Sequence, residues 1–562
     1  MLETSPQRRH DLDALRAFAM LLGIALHAAM SFIPAPWPVQ DTHPSTSIGI
    51  FVAAVHGFRM QLFFLVSGFF TAMLWRRRGL KALLKQRFQR VLVPCILGLL
   101  TIIPTLRWVS NWAMETTKRE RATNGTAQLE SQLVEAMRQK DRASIERLIM
   151  SGVDPNGHDS EFSVILLSWA AMFGDAETAR LLLDKGATIN ARNGDGSSPL
   201  HGAAFLGHNA VVAVLLSSGA DAKSQNLGGD FPYDSASADW DATQYITSLL
   251  RIPLRSQKEV LAGREECQKL LPMNPARAGA KQVGNEQSRP ADDFLGLRSA
   301  YRAFLLSDRL NIRRSPTSTP FHLLFTDVFD HLWFLWFLCW LVPFFIAFAW
   351  VAERRNWKGP PRKLILSPLR FFWLLPLSMI PQWFMGIFAP SFGPDTSVGL
   401  LPQPHLLLYY GVFFAFGALY FDCDDKEGQL GRWWGLAIPL ALFVALPVGL
   451  VTIPSRALSG VLQLAYVWLM IFGMMGLFRR LLPHERKPVR YLSDASYWLY
   501  LVHVPFVMVL QQWIRKSALP AELKFTLICL VTTGVLLLSY QVLVRYTWLG
   551  TLLNGRREKK TG

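Results

Sequence analysis

Apolar runs long enough to cross a bilayer as helices constrain this chain more than any other feature. A hydrocarbon core of roughly 30 Å needs about 20 mostly apolar helical residues, and spanning backbone must satisfy its own polar groups. The qualifying runs number ten, with predicted bounds of 12–33, 48–74, 91–109, 332–352, 364–389, 403–421, 433–453, 457–478, 493–514 and 522–548. The sequence therefore predicts an all-α fold, a polytopic membrane helix bundle of about ten transmembrane helices.

Basic residues gather in alternate loops between these runs. The stretch 75–90 holds seven Lys and Arg with no acid, and 353–363 holds five. The loop 34–47 holds neither Lys nor Arg. Because positive charge marks the cytoplasmic side, we predict cytoplasmic termini and an extracytoplasmic position for the long segment 110–330. The basic residues behind the net charge of +17 thus follow the membrane topology. They do not indicate nucleic-acid binding, and no nucleic-acid partner is expected.

A repeat of about 33 residues lies inside the long segment. Gly152, Gly186 and Gly219 are spaced by 34 and 33 residues, and 198–204 reads SPLHGAA. This period and element are typical of ankyrin repeats. We predict an inserted α-solenoid of three repeats with a degraded fourth, followed by a flexible linker rich in Arg, Gln, Pro, Gly and Ser. The predicted domains are a first membrane part at 1–110, ankyrin repeats at 128–250, the linker at 251–320 and a second membrane part at 321–562.

The repeat segment is acidic, with sixteen Asp and Glu against eight Lys and Arg in 128–250. An acidic surface serves solubility, and it also suits binding of a partner protein. The composition leaves both interpretations open.

The sequence lacks the motifs of several other chemistries. Its five cysteines form no CxxC and no Cys/His cluster with metal spacing, so we expect neither a disulfide framework nor a metal site. GxSxG, P-loop and zincin motifs do not occur either. Nothing therefore indicates an NTP-driven pump, and we expect no cofactor.

The first span carries two ionisable residues in register. Arg16 and His27 are eleven residues apart, which puts them on one helix face about 16 Å apart along the axis. Ionisable groups inside a span are functional candidates by default. His27 could accept a proton and Arg16 could hold an anion. The alternative is a snorkelling arginine and a histidine hydrogen-bonded within the bundle.

Two other spans add polar candidates. Arg59 lies in the second span, three residues after His56. In the ninth span, Tyr500 and His503 are three residues apart on one face. We predict that Arg59, Tyr500 and His503 contact a substrate.

Arg87 and Arg90 form an R-x-x-R pair on one face of the amphipathic stretch that enters the third span. Two guanidinium groups there could bind phosphates in a bidentate manner. The alternative is simple cytoplasmic positive charge.

Five segments together resemble the acyltransferase 3 family of membrane proteins. They are LDALRAFAMLLGIALH in span one, FRMQLFFLVSGFF in span two, RFQR before span three, HLWFLWFL in span four and SYWLYLVHVP in span nine. Their order and number make the combination specific, whereas any one of them alone would be weak. The long insert departs from the family, whose segment between the third and fourth spans is usually short.

The resemblance implies a bacterial inner-membrane enzyme that transfers an acyl group, of the acetyl or succinyl class, from cytoplasmic acyl-CoA as co-substrate. The acceptor would be a hydroxyl of an extracytoplasmic glucan or other carbohydrate. The family's Arg-x10-His pair falls on Arg16 and His27, which implies a catalytic role for them with Arg16 contacting acyl-CoA. Its R-x-x-R falls on Arg87 and Arg90, which implies acyl-CoA contacts.

Two rival functions stay open at this stage. A glycan exporter would use buried His and Arg as relay or substrate contacts and would need no acyl-CoA. A membrane-anchored scaffold would instead work through the ankyrin repeats and a protein partner. Under the acyltransferase hypothesis, the insert caps the acceptor entrance, recruits a partner or is merely tolerated.

Overall fold

The structure is a computed structural model that describes residues 9–33, 37–123, 125–159, 162, 164–226, 229–238, 240–273, 296–312, 321–357, 359–387, 391–453 and 455–555. The chain divides into two compact units. Met1–Ala113 with Asp292–Gly562 form one, here called the membrane unit, and Met114–Ala291 form the other, here called the repeat unit. The finer domain bounds predicted from the sequence stay predictions.

Helices make up nearly all of the regular structure in the described residues. The first is α1 (His10–Ala29), followed by α2 (Thr46–Arg87) and α3 (Val93–Thr123). The repeat unit holds α4 (Gly125–Gln139), α5 (Arg142–Met150), α6 (Leu166–Phe173), α7 (Ala176–Asp184), α8 (Pro199–Phe205), α9 (Asn209–Ser217), α10 (Pro232–Ser235), α11 (Trp240–Leu249) and α12 (Gln257–Leu270).

The chain then returns to the membrane unit. Its remaining helices are α13 (Leu297–Leu305), α14 (Trp333–Arg354), α15 (Arg362–Leu366), α16 (Arg370–Gln382), α17 (Pro404–Asp422), α18 (Trp434–Leu440), α19 (Leu446–Val451), α20 (Arg456–Leu481), α21 (Lys487–Ile514), α22 (Ala521–Ser539) and α23 (Trp548–Asn554). Two short strands, β1 (Asn311–Ile312) and β2 (Phe321–His322), pair antiparallel between α13 and α14.

Seven helical stretches of the described chain are long and apolar enough to cross a membrane. They are His10–Phe32, Thr46–Thr117, Asp330–Arg354, Pro404–Asp422, Trp434–Val451, Arg456–Leu481 and Ala521–Val544. These cover eight predicted spans, because the second and third lie in one helical stretch of 72 residues. The all-α membrane fold is confirmed, and the count of ten stays a prediction.

The fifth and ninth predicted spans are not among these seven stretches, each for a physical reason. The fifth corresponds mainly to α16, which has 13 residues and contains Pro376 and Pro381. Proline removes a backbone donor and weakens a helix interior, so this helix is short. The ninth lies in α21, whose 28 residues are long enough to cross, but which buries polar groups such as Asp494 and Gln511.

Glycines let two membrane helices approach closely. A Cβ atom at Gly68 would lie 1.9 Å from Phe414 O, and one at Gly417 would lie 1.9 Å from Leu65 O. Any side chain at either position would clash with the facing backbone, so α2 and α17 are held at a distance that only glycine permits. Small residues are the usual means of close packing between membrane helices.

A buried ion pair fixes the loop that follows α1. Lys524 Nζ lies 2.9 Å from Asp41 Oδ1, and both side chains are almost fully buried, with 0% and 1% of their surface exposed. The same ammonium donates to Arg515 O at 2.9 Å. The pair ties this loop to the first turn of α22.

The repeat unit has its own core and confirms the predicted solenoid. The helix pairs α4–α5, α6–α7 and α8–α9 follow one another, and the short α10 with α11 forms the degraded fourth repeat. Gly152, Gly186 and Gly219 have φ angles of 96°, 94° and 93°, a region that favours glycine. Trp169 is fully buried at the centre of this core.

The segment 251–320, predicted to be a flexible linker, contains helices in the structure. A capping box forms between Ser256 and Glu259, and α12 then buries Val260 and Cys267. These signals were too local to show as a period in the sequence, but they suffice to begin and anchor a helix. A second helix, α13, lies within the membrane unit. The stretches 274–295 and 313–320 lie outside the described residues.

Candidate active site

A cavity of about 710 Å³ lies within the membrane unit, among α1, α2, α3, α14 and α21. Small-molecule sites usually enclose about 300–1,000 Å³, are mostly apolar and carry a few placed polar groups. The ionisable or phenolic side chains that line this one are His27, His56, Arg59, Arg107, Asp327, Asp330, His331, Tyr500 and His503. Arg107 and Asp327 are exposed, so the cavity opens at the end of the bundle where α1 ends.

Two histidines from distant parts of the chain form a pair in this cavity. His503 Nε2 lies 3.0 Å from His27 Nδ1. The two ring centroids are 4.9 Å apart, and the rings are inclined by 54°. His503 is almost fully buried, whereas His27 is half-buried and lines the cavity.

The neighbouring carbonyl groups determine the tautomer of each neutral ring. His503 Nδ1 lies 2.9 Å from Tyr500 O, so this nitrogen donates and Nε2 carries the lone pair. His27 Nδ1 faces that lone pair and also Gly23 O at 2.9 Å, both of which accept. His27 Nδ1 therefore carries the proton, which leaves the lone pair on His27 Nε2. That atom makes no hydrogen bond within the described residues and is free to accept one in the cavity.

His331 and Tyr500 also line the cavity. Tyr500 Oη donates to His331 O at 2.8 Å, and His331 Nε2 donates to Leu501 O at 2.9 Å. His331 Nδ1 is therefore a lone-pair acceptor, and it is buried without a partner in the described chain. Such a group is a candidate for a substrate contact.

A buried glutamine closes the end of the helix that carries His27. The last carbonyl groups of a helix have no partner within it. Gln511 Nε2 donates to His27 O at 2.9 Å and to Ala28 O at 3.1 Å, and its Oε1 accepts from Trp37 Nε1 at 2.8 Å. The Trp37 and His27 ring centroids are 5.8 Å apart, at 30°. Gln511 thus holds the Trp37 indole and the last turn of α1, which carries His27.

Arg59 lies against Gly23, one turn before His27 on α1. A Cβ atom at Gly23 would lie 2.4 Å from Arg59 Nη1, so the glycine makes room for the guanidinium. Arg59 Nη2 has only a weak acceptor, Met60 Sδ at 3.4 Å, and Nε is buried without a partner. Among the described residues it forms no ion pair. A cation without a counter-charge in a cavity is suited to stabilise negative charge on a ligand.

The three other predicted arginines lie away from this cavity. Arg16 Nη2 donates to Ser493 Oγ at 2.9 Å. Arg87 Nη2 donates to Thr71 Oγ1 at 2.6 Å, and Arg90 O accepts from Tyr497 Oη at 2.6 Å. Ser493 and Tyr497 belong to the early turns of α21. His503 follows Ser493 by ten residues, which is about 15 Å along the axis.

The structure therefore groups the predicted residues into two sets. His27, Arg59, Tyr500 and His503 line one cavity, whereas Arg16, Arg87 and Arg90 lie near the opposite part of α21. Sequence reasoning missed Trp37 and Gln511, and it named His331 only as part of the HLWFLWFL segment of span four. A polar amide inside an apolar run was the available signal for Gln511. The roles of all these residues stay predictions.

Comparison with known families gives two matches. A family model described as an acyltransferase domain matches residues 9–118 and 283–544, well over half of the chain. A model of ankyrin repeats, in three copies, matches residues 133–226.

Several curated proteins are similar to part of the chain. The glucans biosynthesis protein C of Shigella dysenteriae serotype 1 (strain Sd197) is 43% identical over 100 residues, which is 18% of this chain and 25% of that protein. Proteins of the same name from Escherichia coli O1:K1 / APEC and Escherichia coli O139:H28 (strain E24377A / ETEC) are 42% identical over 100 residues, with the same coverage. The chain thus spans a quarter of the length of the curated relatives it matches.

Proposed function

We propose that this chain, which belongs to the acyltransferase 3 family whose domain model matches residues 9–118 and 283–544, is a membrane-bound O-acyltransferase. It moves an acyl group from acyl-CoA, supplied from the cytoplasm, to a carbohydrate hydroxyl that enters from the other side. The observation that carries the proposal is His27 Nε2, a lone pair on the wall of a 710 Å³ cavity that has no partner among the described residues. Family membership confirms the resemblance found in the sequence.

His27 acts on the acceptor hydroxyl in this mechanism. The hydroxyl oxygen attacks the thioester carbonyl carbon while His27 Nε2 takes the proton. The C–S bond then breaks, and the imidazolium returns the proton to the leaving thiolate of CoA. In the alternative route, Nε2 attacks the thioester first and expels the CoA thiolate, and the hydroxyl oxygen then displaces the imidazole from the acyl group while its proton passes to the thiolate. Both routes need the same nitrogen and the same tautomer.

Arg59 is the group that stabilises the reacting carbonyl in this proposal. Negative charge develops on the carbonyl oxygen as the tetrahedral intermediate forms, and a fixed cation nearby lowers its energy. Arg59 lies against Gly23, whose carbonyl group also orients His27, so the cation and the base share one turn of α1. Tyr500 and His503 support these groups and border the space that the substrate occupies.

Arg16, Arg87 and Arg90 receive the donor in this proposal. Their place near the early turns of α21 is consistent with binding the phosphates of acyl-CoA there, with its thioester reaching toward His503 and His27. Guanidinium groups bind phosphate oxygens strongly and in a bidentate manner. In this proposal, the phosphates of the donor bind near the early turns of α21, and the acceptor hydroxyl binds near His503 and His27.

The names of the relatives and the charges of the loops indicate the acceptor and the location. The curated relatives are named for glucan biosynthesis, which favours a glucan as the acceptor. The alternation of basic loops supports cytoplasmic termini in a bacterial inner membrane and an extracytoplasmic repeat unit. Ankyrin repeats are suited to bind a partner protein.

The test is acyl transfer by the purified full chain in nanodiscs. Radiolabelled acetyl-CoA and succinyl-CoA serve as donors, and a glucose oligosaccharide serves as the acceptor. His27→Ala should abolish the labelled product, and the exposed His484→Ala should retain it. Undiminished transfer by correctly inserted His27→Ala would exclude both routes.

A further inference from the structure

Trp37 is held at the wall of the cavity by a hydrogen bond to a buried side chain. Its Nε1 donates to Gln511 Oε1 at 2.8 Å, and the amide of Gln511 is buried, with 1% of the residue exposed. The indole is half-buried and lines the cavity beside His27. One edge of the ring is thus fixed by a dedicated hydrogen bond, while another part stays available to a ligand.

The position of Trp37 matches the needs of a hydroxyl donor to His27. The two ring centroids are 5.8 Å apart. A flat, partly apolar ligand lying on the indole would therefore have its edge close to the His27 ring. Tryptophan offers a large apolar face at little cost in conformational freedom, and such faces stack on other flat groups.

Polar groups border the cavity beyond Trp37, toward its opening. Arg107 Nη2 donates to Asp327 O at 2.7 Å, and Arg107 Nε lies 3.6 Å from Asp330 Oδ2. Asp330 Oδ2 makes no hydrogen bond in the described residues. Asp330 also has a φ of 42°, a left-handed backbone conformation that aspartate adopts more readily than most residues. Oδ2 itself is buried against the Arg107 guanidinium, but 27% of the Asp330 side chain is exposed, so the carboxylate is suited to accept from a hydroxyl group.

We infer that Trp37 is the platform on which a sugar residue of the acceptor stacks. The apolar C–H face of the sugar covers the indole, a hydroxyl on its rim donates to Asp330, and another hydroxyl points to His27 Nε2. This inference rests on the proposed function, because it names the part of the site that holds the acceptor. It assigns no role in the transfer step to Trp37, which contacts only the bound sugar.

Binding without turnover tests the inference independently of catalysis. Laminaripentaose and maltopentaose are titrated calorimetrically into the full chain in nanodiscs, with no acyl donor present. Trp37→Leu should weaken binding about tenfold. Trp37→Phe keeps a stacking face and should recover most of the affinity. Trp513, of which 72% is exposed, provides the matched control, and Trp513→Leu should bind as the wild type does.

Transfer assays separate this inference from the proposed function. Trp37→Leu should raise the KM for the pentasaccharide about tenfold and raise the KM for glycerol, which is too small to stack, much less. Equal losses on both acceptors, unchanged affinity, or failure of the wild type to bind either pentasaccharide would overturn the inference. Wild-type binding that depends on Trp37 without any acyl transfer would instead overturn the proposed function alone.

Discussion

His503 donates no hydrogen bond to His27 but accepts one from it, across the 3.0 Å between His503 Nε2 and His27 Nδ1. The direction follows from the backbone carbonyl groups around His503 Nδ1, which require a proton on that nitrogen. The pair thereby keeps the lone pair of His27 on Nε2, the nitrogen that has no partner in the described part of the chain. In the proposed mechanism, His503 is therefore a positioning residue for His27.

Replacement of His503 should lower turnover more than substrate affinity. His503→Ala removes the acceptor for His27 Nδ1–H, so the ring can rotate or change tautomer. We expect kcat to fall about 10- to 100-fold while the KM values for acyl-CoA and for the acceptor stay within about threefold. Steady-state kinetics in nanodiscs measure both, with exposed His43→Ala as the control. Full activity in His503→Ala would contradict the assigned direction of the hydrogen bond.

Replacements of the neighbouring residues Gln511 and Gln512 should differ in their effect on the stability of the protein. Gln511→Leu leaves the His27 and Ala28 carbonyl groups and the Trp37 indole without their partner, which should cost about 1–3 kcal/mol and lower the Tm. The buried Gln512 amide makes no hydrogen bond in the described residues, so Gln512→Leu should cost little or stabilise the protein. Thermal unfolding of both variants in the same nanodiscs measures these two effects. Equal Tm values would refute the role of Gln511.

The arginine pair before the third span should affect the donor and not the acceptor. Arg87→Ala/Arg90→Ala removes two phosphate contacts in the proposed mechanism, and we expect the KM for acyl-CoA to rise about tenfold or more with an unchanged KM for the acceptor. Arg77→Ala/Arg78→Ala removes the same charge from exposed positions in the same stretch. An equal effect of the two double variants would show that only the local positive charge matters.

The ion pair between Lys524 and Asp41 should behave as a unit. Removing one partner leaves a buried charge without compensation, so Lys524→Met should destabilise the membrane unit by about 3–5 kcal/mol. Replacing both residues, as in Lys524→Met/Asp41→Leu, should recover much of that loss. A double-mutant cycle on unfolding measures the coupling, and additive losses would indicate that the two charges act independently.

The repeat unit should lose local stability in acid. Burial lowers the pKa of His208 to about 4, with the Arg255 guanidinium adding to the effect, and His208 Nε2 donates to Met172 O at 3.0 Å. A pKa that is lower in the folded state means that the folded form binds fewer protons. Stability is therefore fully present above about pH 6.5 and falls between pH 6.5 and 4.

Hydrogen exchange of Asn209–Ser217 measures this dependence, after correction for the intrinsic exchange rate at each pH. Protection should fall by about 2–3 kcal/mol across that range. His208→Gln keeps a donor without the titration and should flatten the dependence. The same fall in His208→Gln would assign the effect to other groups.

Much of the candidate site was visible in the sequence as separate signals. His27, Arg59, Tyr500 and His503 stood out because polar groups inside apolar runs are costly and seldom present without a role. Their grouping was not visible, since His27 and His503 are 476 positions apart. Trp37 gave no signal at all, because an isolated tryptophan after a predicted span fits an interfacial belt equally well.

The sequence by itself determined the membrane class, the all-α fold, the repeat insert and the family, because a bilayer and a repeated core impose composition and period on every stretch of chain. The tertiary structure decided which polar atoms meet, which nitrogen of His27 is free and which residues share a cavity. These depend on distances of about 3 Å between helices far apart in sequence, and no local pattern of residues specifies such distances.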